Sequence, residues 1–137
     1  MGFYLYISNR DSEDSFLSNK PDNFMVSLGQ DYCLKGNWKV AVTEITVKLN
    51  FENPAPEQLC ILLNICEPSF VAGHYKQIVR RLNIVEENIF HSTYSHPYFV
   101  NVNIQTFKNL NVQVLNEILK PSGLTGDILF TLLFKKV

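Results

Sequence analysis

The sequence has few of the residues on which catalysis and cofactor binding depend. Among 137 residues there are 3 histidines, 3 cysteines and 6 glycines, and the glycines are isolated from one another. Isolated glycines do not form the glycine-rich loops that hold phosphate groups. The sequence also lacks a Gly-x-Ser-x-Gly motif, which would mark a nucleophilic serine. We therefore predict no enzyme activity, no cofactor and no small-molecule substrate.

Charge of either sign is not in excess. The chain has 12 basic and 13 acidic residues, for a net charge of -1, which gives no electrostatic reason to expect a specific nucleic-acid or anionic-membrane partner. The longest apolar run, in Leu59–Ile65, is too short to span a bilayer. The polar and charged stretch Asn9–Asp14 is unlike a signal peptide. We expect a soluble protein made in the cytosol, without a membrane span.

Cysteine is scarce, and its number is odd. Cys33, Cys60 and Cys66 include no Cys-x-x-Cys pair, which argues against a disulfide framework and for folding in a reducing compartment. We interpret each cysteine as a small hydrophobic residue. His74 follows Cys66 in no arrangement known to activate a thiol.

Metal and acid–base sites are also not indicated. His91 and His96 lie five residues apart in a polar segment, Asn88–Pro97, that we predict to be a loop, so they miss the spacing of two ligands on one strand face. Glu86 and Glu87 are adjacent, and neighbouring strand residues point to opposite faces, which predicts a solvated pair. The sequence therefore predicts no metal site and no catalytic residue.

What the sequence does have is alternation of apolar and polar residues at period two, the pattern of strands with one buried face. About eight such strands are predicted, and no long helix. A chain of 137 residues is long enough for one domain with a single core. The predicted strands favour an all-β fold over residues 1–137, an antiparallel sandwich of jelly-roll or related Greek-key type. The predicted strands are Phe3–Ser8, Asn23–Leu28, Trp38–Leu49, Leu59–Cys66, part of 77–85, Tyr98–Ile104, Leu110–Leu115 and Ile128–Lys136.

The third strand contains a change of phase. Its first apolar set is Trp38, Val40 and Val42, and its second set is Ile45, Val47 and Leu49. The shift falls at Thr43 and Glu44 and predicts a β-bulge or bend there. Two prolines in residues 53–56 would end the strand, because proline cannot continue a central ladder.

Four further segments carry local predictions. Asn9–Asp22 reads as a loop anchored by Phe16 and Leu17. Leu59–Cys66 is almost continuously apolar, so both of its faces are covered, either inside the domain or by a neighbouring subunit. Residues 77–85 fit a strand, or a strand after one helical turn. Turn-forming residues at 121–126 predict that the last two strands form a hairpin.

Two groups of polar residues mark candidate surfaces. Arg80 and Arg81, with Lys76, form the one local basic cluster, which we interpret as solvated or as forming interface salt bridges. Uncharged amides lie on the predicted outward faces of two consecutive strands. Such a face is compatible with a protein–protein interface and equally with an ordinary polar surface. These amides are Asn101, Asn103, Asn109, Asn111 and Gln113.

The two ends of the chain together resemble a known family. The patterns are N-x-x-x-N-F-x-V-x-L at Asn19–Leu28, G-x-W-x-V-A-V-T-E-I at Gly36–Ile45, and G-x-I-x-F-T-L-x-F-K-K at Gly126–Lys136. In this order, after the opening strand, they resemble the minor capsid (penton) proteins of polinton-like and adintovirus-like double-stranded DNA viruses. The resemblance covers about half of the chain.

The resemblance implies a single jelly roll that assembles with itself into a homopentamer at capsid vertices, beside a separate major capsid protein. It implies a virion location, synthesis in the host cytoplasm, and the nucleus as one candidate place of assembly. It implies structural roles alone: a strand entry at Asn23 and Phe24, a core anchor at Trp38, and a partnered carboxylate at Glu44. The other matching residues are Val40, Val42, Phe130, Leu132 and Phe134.

The chain departs from the penton family in one respect, and other functions remain open. Relatives are expected to be longer between the middle strands, whereas this chain joins Leu49 to His74 with few residues. The chain could instead be a ligand-binding or carbohydrate-binding sandwich, a trimeric cytokine-like protein, or a host-retained viral copy. Exposed aromatic residues would favour such a binder, and the candidates are Tyr75, Tyr94, Tyr98 and Phe99. A jelly-roll enzyme is disfavoured by the histidine spacing.

Overall fold

A computed structural model describes residues 2–52, 54–85 and 87–137, and within these ranges there are eleven strands and no helix. Two predictions fall in part on residues outside this description: the strand end at residues 53–56, because of Asn53, and the solvated pair Glu86 and Glu87, because of Glu86. The strands are β1 Gly2–Ser8, β2 Asn23–Cys33, β3 Trp38–Lys48, β4 Gln58–Leu63, β5 Ser69–Val71, β6 His74–Lys76, β7 Ile78–Asn83, β8 Ile89–Thr93, β9 Val100–Asn101, β10 Thr106–Leu115 and β11 Ile128–Lys136.

The strands form two antiparallel sheets that pack face to face. Sheet A has the order β1-β11-β3-β8, with the short β9 also paired to β3. Sheet B has the order β2-β10-β4-β7. The strands β5 and β6 pair only with each other. The sandwich itself has eight strands, the predicted number, but they include β8, which was predicted to lie in a loop, and exclude β9, which lies in a predicted strand.

The chain moves between the sheets in the manner of a jelly roll. Consecutive strands β1, β2, β3 and β4 lie alternately in sheets A and B, and β10 and β11 do the same. Long connections therefore cross the ends of the sandwich, as two nested Greek keys require. The all-β jelly-roll prediction is confirmed.

The core lies between the sheets and follows the predicted alternation. In β1, Ile7 is buried while Tyr4 and Tyr6 on the other face are exposed. In β2, Phe24 and Val26 are buried. The largest fully buried side chains come from both sheets, as expected of a sandwich. They include Phe24, Ile45, Leu59, Ile61, Leu63, Leu110, Ile128, Leu132 and Phe134.

The predicted bulge is present at the predicted position. Leu132 of β11 pairs with Val42 and Thr131 pairs with Glu44, so Thr43 is the extra residue on β3. The bulge turns the later apolar set inward, and Ile45 and Val47 are fully buried. The strand then ends at Lys48, before the prolines.

The strand β4 is buried on both faces, and the chain itself covers both. Its inward residues Leu59, Ile61 and Leu63 belong to the main core. On the outer face, Cys60 and Leu62 form a second apolar cluster with Ile78 and Leu115, against which Val71 and Leu119 pack. Of the two predicted explanations, burial inside the domain is therefore the correct one.

Three predictions about strands were wrong or incomplete. The last two strands do not form a hairpin: β10 pairs with β2 and β4, whereas β11 pairs with β1 and β3. The turn residues at 121–126 instead carry the chain from one sheet to the other. The segment Asn88–Pro97 is not all loop, since β8 pairs with β3 there. The predicted strand Tyr98–Ile104 is shorter in the structure, where β9 comprises Val100–Asn101.

Other local predictions have mixed outcomes. Ile78–Asn83 is a strand, as favoured for residues 77–85. The strand that begins at Asn23 continues past the predicted end at Leu28 to Cys33. Its pairing with β10 is interrupted by a bulge between Ser27 and Tyr32, where Gly29 has φ 78°, and then resumes. The predicted loop anchor was wrong in part, since Phe16 is half-buried but Leu17 is 92% exposed.

Candidate interaction surfaces

Six residues of the family-like patterns lie together in the core. All six are at most 2% exposed and belong to the main apolar cluster. Phe134 stacks on Phe3 of the neighbouring strand with ring centroids 4.8 Å apart. The matched pattern therefore lies mainly between the sheets and does not itself form a surface. These residues are Phe24, Val40, Val42, Phe130, Leu132 and Phe134.

Trp38 and Asn23 lie at the margins of this core. Trp38 is partly buried, packs against Phe3 at 5.7 Å between ring centroids, and donates its indole N–H to the backbone oxygen of Lys35 at 2.9 Å. Asn23 is exposed at the start of β2, and its side-chain oxygen accepts a hydrogen bond from Asn111 at 3.2 Å.

Glu44 lies beside the bulge and is exposed. In the register it is opposite Thr131 on one side and Thr93 on the other. Within the described residues its carboxylate makes no hydrogen bond or ion pair, so the partner expected for it is not found there. The carboxylate is open to solvent on the outer side of sheet A.

Two of the three cysteines are buried among apolar residues, as the interpretation of them as small hydrophobic residues predicts. Cys60 and Cys66 are buried, and burial raises the pKa of the Cys66 thiol to about 12. Burial also raises the pKa of Cys60, opposed in part by the nearby guanidinium of Arg81. Both thiols are therefore protonated at neutral pH, and a thiol is a poor nucleophile compared with a thiolate. Cys33 is exposed.

The histidines are separated from one another. His91 lies on β8, where its Nδ1 is 2.7 Å from the Thr46 hydroxyl, while His96 contacts Ser95 and His74 begins β6. Among the residues that the structure describes, no three His, Cys, Asp or Glu side chains are grouped so as to hold a metal ion. No helix in the same residues is long and apolar enough to cross a membrane.

The outer face of sheet A carries several exposed apolar side chains. Tyr4 and Tyr6 of β1 stack at 6.5 Å between centroids and are 53% and 75% exposed. Leu129 on β11 and Ile89 on β8 are exposed on the same sheet. Exposed apolar side chains that share a face are typical of protein–protein contact sites.

The predicted amide face is divided between the two sheets. Asn109, Asn111 and Gln113 lie on β10 in sheet B, half-buried on its outer side. Asn64 accepts a hydrogen bond from the backbone N–H of Asn111 at 2.9 Å, so part of this row is used within the fold. Asn101 belongs to sheet A and donates to Glu67 at 2.8 Å. The five amides therefore do not form one continuous surface.

A cavity of about 540 Å³ opens beside β7, the end strand of sheet B. The Arg80 guanidinium lies 3.6 Å from the centroid of the Tyr94 ring, and Arg81 donates to Gln58 at 2.9 Å. Neither arginine forms an ion pair with a carboxylate of the described residues. We call this cavity the arginine groove; its lining includes Phe70, Val71, Val79, Arg80, Arg81 and Tyr98.

The aromatic residues expected to form an exposed cluster do so in part. Tyr98 lines the arginine groove and is 69% exposed. Tyr75 is also exposed and contacts Phe70 edge to face at 5.2 Å. Tyr94 and Phe99 are half-buried, with Tyr94 beneath Arg80. The sequence pattern marks the arginines and Tyr98 as separate candidates, but their proximity depends on the contact between the two sheets.

The fold matches a solved structure over its whole length. The crystal structure of the selenomethionine-labelled mavirus penton protein aligns with this chain at a TM-score of 0.69, and the alignment covers 100% of each chain. Sequence identity is 7%, so the likeness is one of fold. A scan against protein-family models finds no match, and a search of the curated proteins finds none either.

Proposed function

We propose that this chain is a structural protein of a virus capsid, a penton-like jelly roll that assembles with copies of itself. The observation that carries the proposal is the full-length similarity of fold to the mavirus penton protein. The sequence patterns at both ends, which resemble those of penton proteins, support the same assignment.

The proposed role is architectural and involves no catalysis. The two buried cysteines, the best candidates for a nucleophile by residue type, have pKa values raised by burial. The side chains shared with the family-like patterns fill the core or its margins, so we propose that their role is to hold the sandwich in shape. Residues 1–137 would then act as one rigid building block, with function residing in its outer surfaces.

The proposal also covers the position of the protein in the capsid and its partners there. We propose a homopentamer at the capsid vertex, contacting a separate major capsid protein, within a polinton-like or adintovirus-like virion. Exposed apolar side chains on sheet A, such as Tyr6 and Leu129, supply the type of surface that such contacts bury. Synthesis in the host cytoplasm, with the nucleus as a candidate place of assembly, follows from the same proposal.

The mass of the purified protein in solution tests this function. Light scattering coupled to size exclusion, over a range of concentrations, should give five times the chain mass of 15.8 kDa. A trimer would favour the cytokine-like alternative instead. A monomer at the highest concentration would contradict self-assembly, because a capsid building block must contact its own copies.

A second candidate function is ligand binding in the arginine groove. It is favoured by the exposed aromatic side chains of Phe70, Tyr75 and Tyr98, which are of the kind that stack on sugar rings. A glycan array tests it: selective binding that Tyr98→Ala abolishes would support a carbohydrate-binding protein. Uniformly negative arrays would leave assembly as the function of this surface.

A further inference from the structure

The loop between β1 and β2 presents an apolar side chain to solvent. Leu17 is 92% exposed, the highest exposure among the large apolar residues of the described chain. A tight turn precedes it, closed by the hydrogen bond from the Phe16 N–H to the Ser12 oxygen at 3.0 Å. The turn holds Leu17 outward. Such a side chain gains free energy when a partner covers it.

Negative charge lies beside this side chain. Asp14 is exposed, and its carboxylate has no partner among the described residues. Glu13 pairs with Arg10 at 3.2 Å but is also exposed. We call residues 13–17 the acidic knob, because they combine carboxylates with a projecting leucine.

The arginine groove has the complementary chemistry. Its walls contain apolar groups from Phe70, Val71 and Tyr98, and neither of the two arginines that line it has a carboxylate partner in the described chain. Both arginines are already oriented, Arg80 by the Tyr94 ring and Arg81 by Gln58. Oriented donors lose little side-chain entropy when an anion binds.

The knob and the groove lie far apart on one molecule. The knob belongs to the loop that joins β1 and β2, the strands at one edge of the two sheets, whereas β7 lies at the opposite edge of sheet B. They also lie toward opposite ends of the strands, since the β5–β6 hairpin that walls the groove follows the far end of β4. The two surfaces can therefore meet only between two copies.

We propose that the arginine groove binds the acidic knob of a second copy of this chain. The inference rests on the proposed self-assembly and names the surfaces responsible for it. Leu17 would enter the apolar part of the groove, with Asp14 near Arg81, which lies on the outer face of β7. Because the two surfaces differ, the contact is head-to-tail, and repeated head-to-tail contacts close into a ring when the rotation allows.

Two variants and their mixture test the proposal. Leu17→Asp disables the knob and Arg81→Glu disables the groove, and both side chains are exposed, so the fold should be retained. Each variant alone should weaken assembly by about tenfold or more in dissociation constant. A mixture of the two leaves one intact knob facing one intact groove, and should give heterodimers of twice 15.8 kDa and nothing larger.

Matched control variants distinguish a failure of the proposed interface from a failure of the proposed self-assembly. Ile118→Asp and Lys120→Glu make similar changes on the exposed loop after β10 and should leave assembly unchanged. If the wild type assembles and either knob or groove variant assembles equally well, the interface is wrong while self-assembly stands. Two monomeric variants that do not form heterodimers when mixed also overturn the proposed contact. A monomeric wild type overturns both.

Discussion

The side-chain amide of Asn19 pairs with the backbone of Met25 as a neighbouring strand would. Its nitrogen donates to the Met25 carbonyl and its oxygen accepts from the Met25 N–H, both at 2.9 Å. Two residues further along β2, the Ser12 hydroxyl accepts the N–H of Ser27 at 3.0 Å. The strand β2 is an end strand of sheet B, so the loop occupies backbone groups that would otherwise attract another chain.

Replacing Asn19 should both destabilise the protein and expose this edge. Asn19→Ala removes two hydrogen bonds, and at ~0.5–1.5 kcal/mol each the free energy of unfolding should fall by about 1–3 kcal/mol. Urea titration measures the loss. Asn19→Asp keeps the acceptor for the Met25 N–H but places a second, negatively charged oxygen against the Met25 carbonyl oxygen, so it should not recover the lost stability. Equal stability of all three proteins would show that the edge is closed by other contacts.

The bulge at Thr43 predicts an unusual tolerance to deletion. Without Thr43, β3 would alternate regularly and Ile45 and Val47 would still face the core, so we expect a loss of less than about 2 kcal/mol. Deleting Thr46 instead would turn Val47 and Leu49 outward, each normally worth ~1.5–3 kcal/mol when buried. Thermal unfolding should therefore show a folded Thr43 deletion and an unfolded Thr46 deletion. The reverse order would place the bulge elsewhere.

Phe134 should contribute strongly to stability, as the apolar stripe in β11 indicates. It is fully buried and stacks with Phe3 at 4.8 Å and with Phe107 at 6.0 Å. Phe134→Ala should cost about 3–5 kcal/mol. The adjacent Leu133 points out of the same strand and is half-buried, so Leu133→Ala should cost clearly less in the same chemical denaturation experiment. Comparable losses would mean that the register of β11 is wrong.

The three thiols should react in two classes. At neutral pH a thiol reagent should modify Cys33 in the folded protein, and Cys60 and Cys66 after unfolding. Since the pKa of Cys66 rises from 9.0 to about 12 on folding, the unfolded state ionises first. Stability should therefore fall as pH rises from 9 toward 12, and less steeply in Cys66→Ala. Full modification of three thiols in folded protein would contradict this burial.

The predictable part of the fold is the part governed by side-chain alternation. The core residues of β3 and β11, and the bulge at Thr43, follow from period two because burial of one face repeats every second residue. The apolar continuity of Leu59–Leu63 likewise predicted burial on both faces. In each case, the residues that decide the outcome are neighbours in the sequence.

The errors arose where the outcome depends on distant residues. The turn at 121–126 specifies that the chain reverses, but the choice of sheet for β11 depends on β1 and β3. The strand β8 escaped prediction because Phe90 is its single buried residue, so its pairing with β3 outweighs its weak pattern. Leu17 looked like an anchor from its side chain, yet the local turn directs it to solvent.

The candidate surfaces were even less accessible from the sequence. Arg80 and Arg81 stand out as a basic pair, but Tyr94, Phe70 and Tyr98 join them only through the packing of the sandwich. The pairing of Asn19 with Met25 likewise needs the loop conformation. By contrast, the burial of the apolar residues in the family-like patterns follows from the alternation, because these residues lie on the core faces of their strands.

The symmetry of the assembled protein tests the proposed function most directly. Electron microscopy of the purified oligomer in negative stain, with class averages computed without imposed symmetry, shows how many copies surround the axis. We expect closed rings of five copies, in agreement with a penton-like role. Rings of three copies, open filaments, or particles no larger than the 15.8 kDa chain would contradict it.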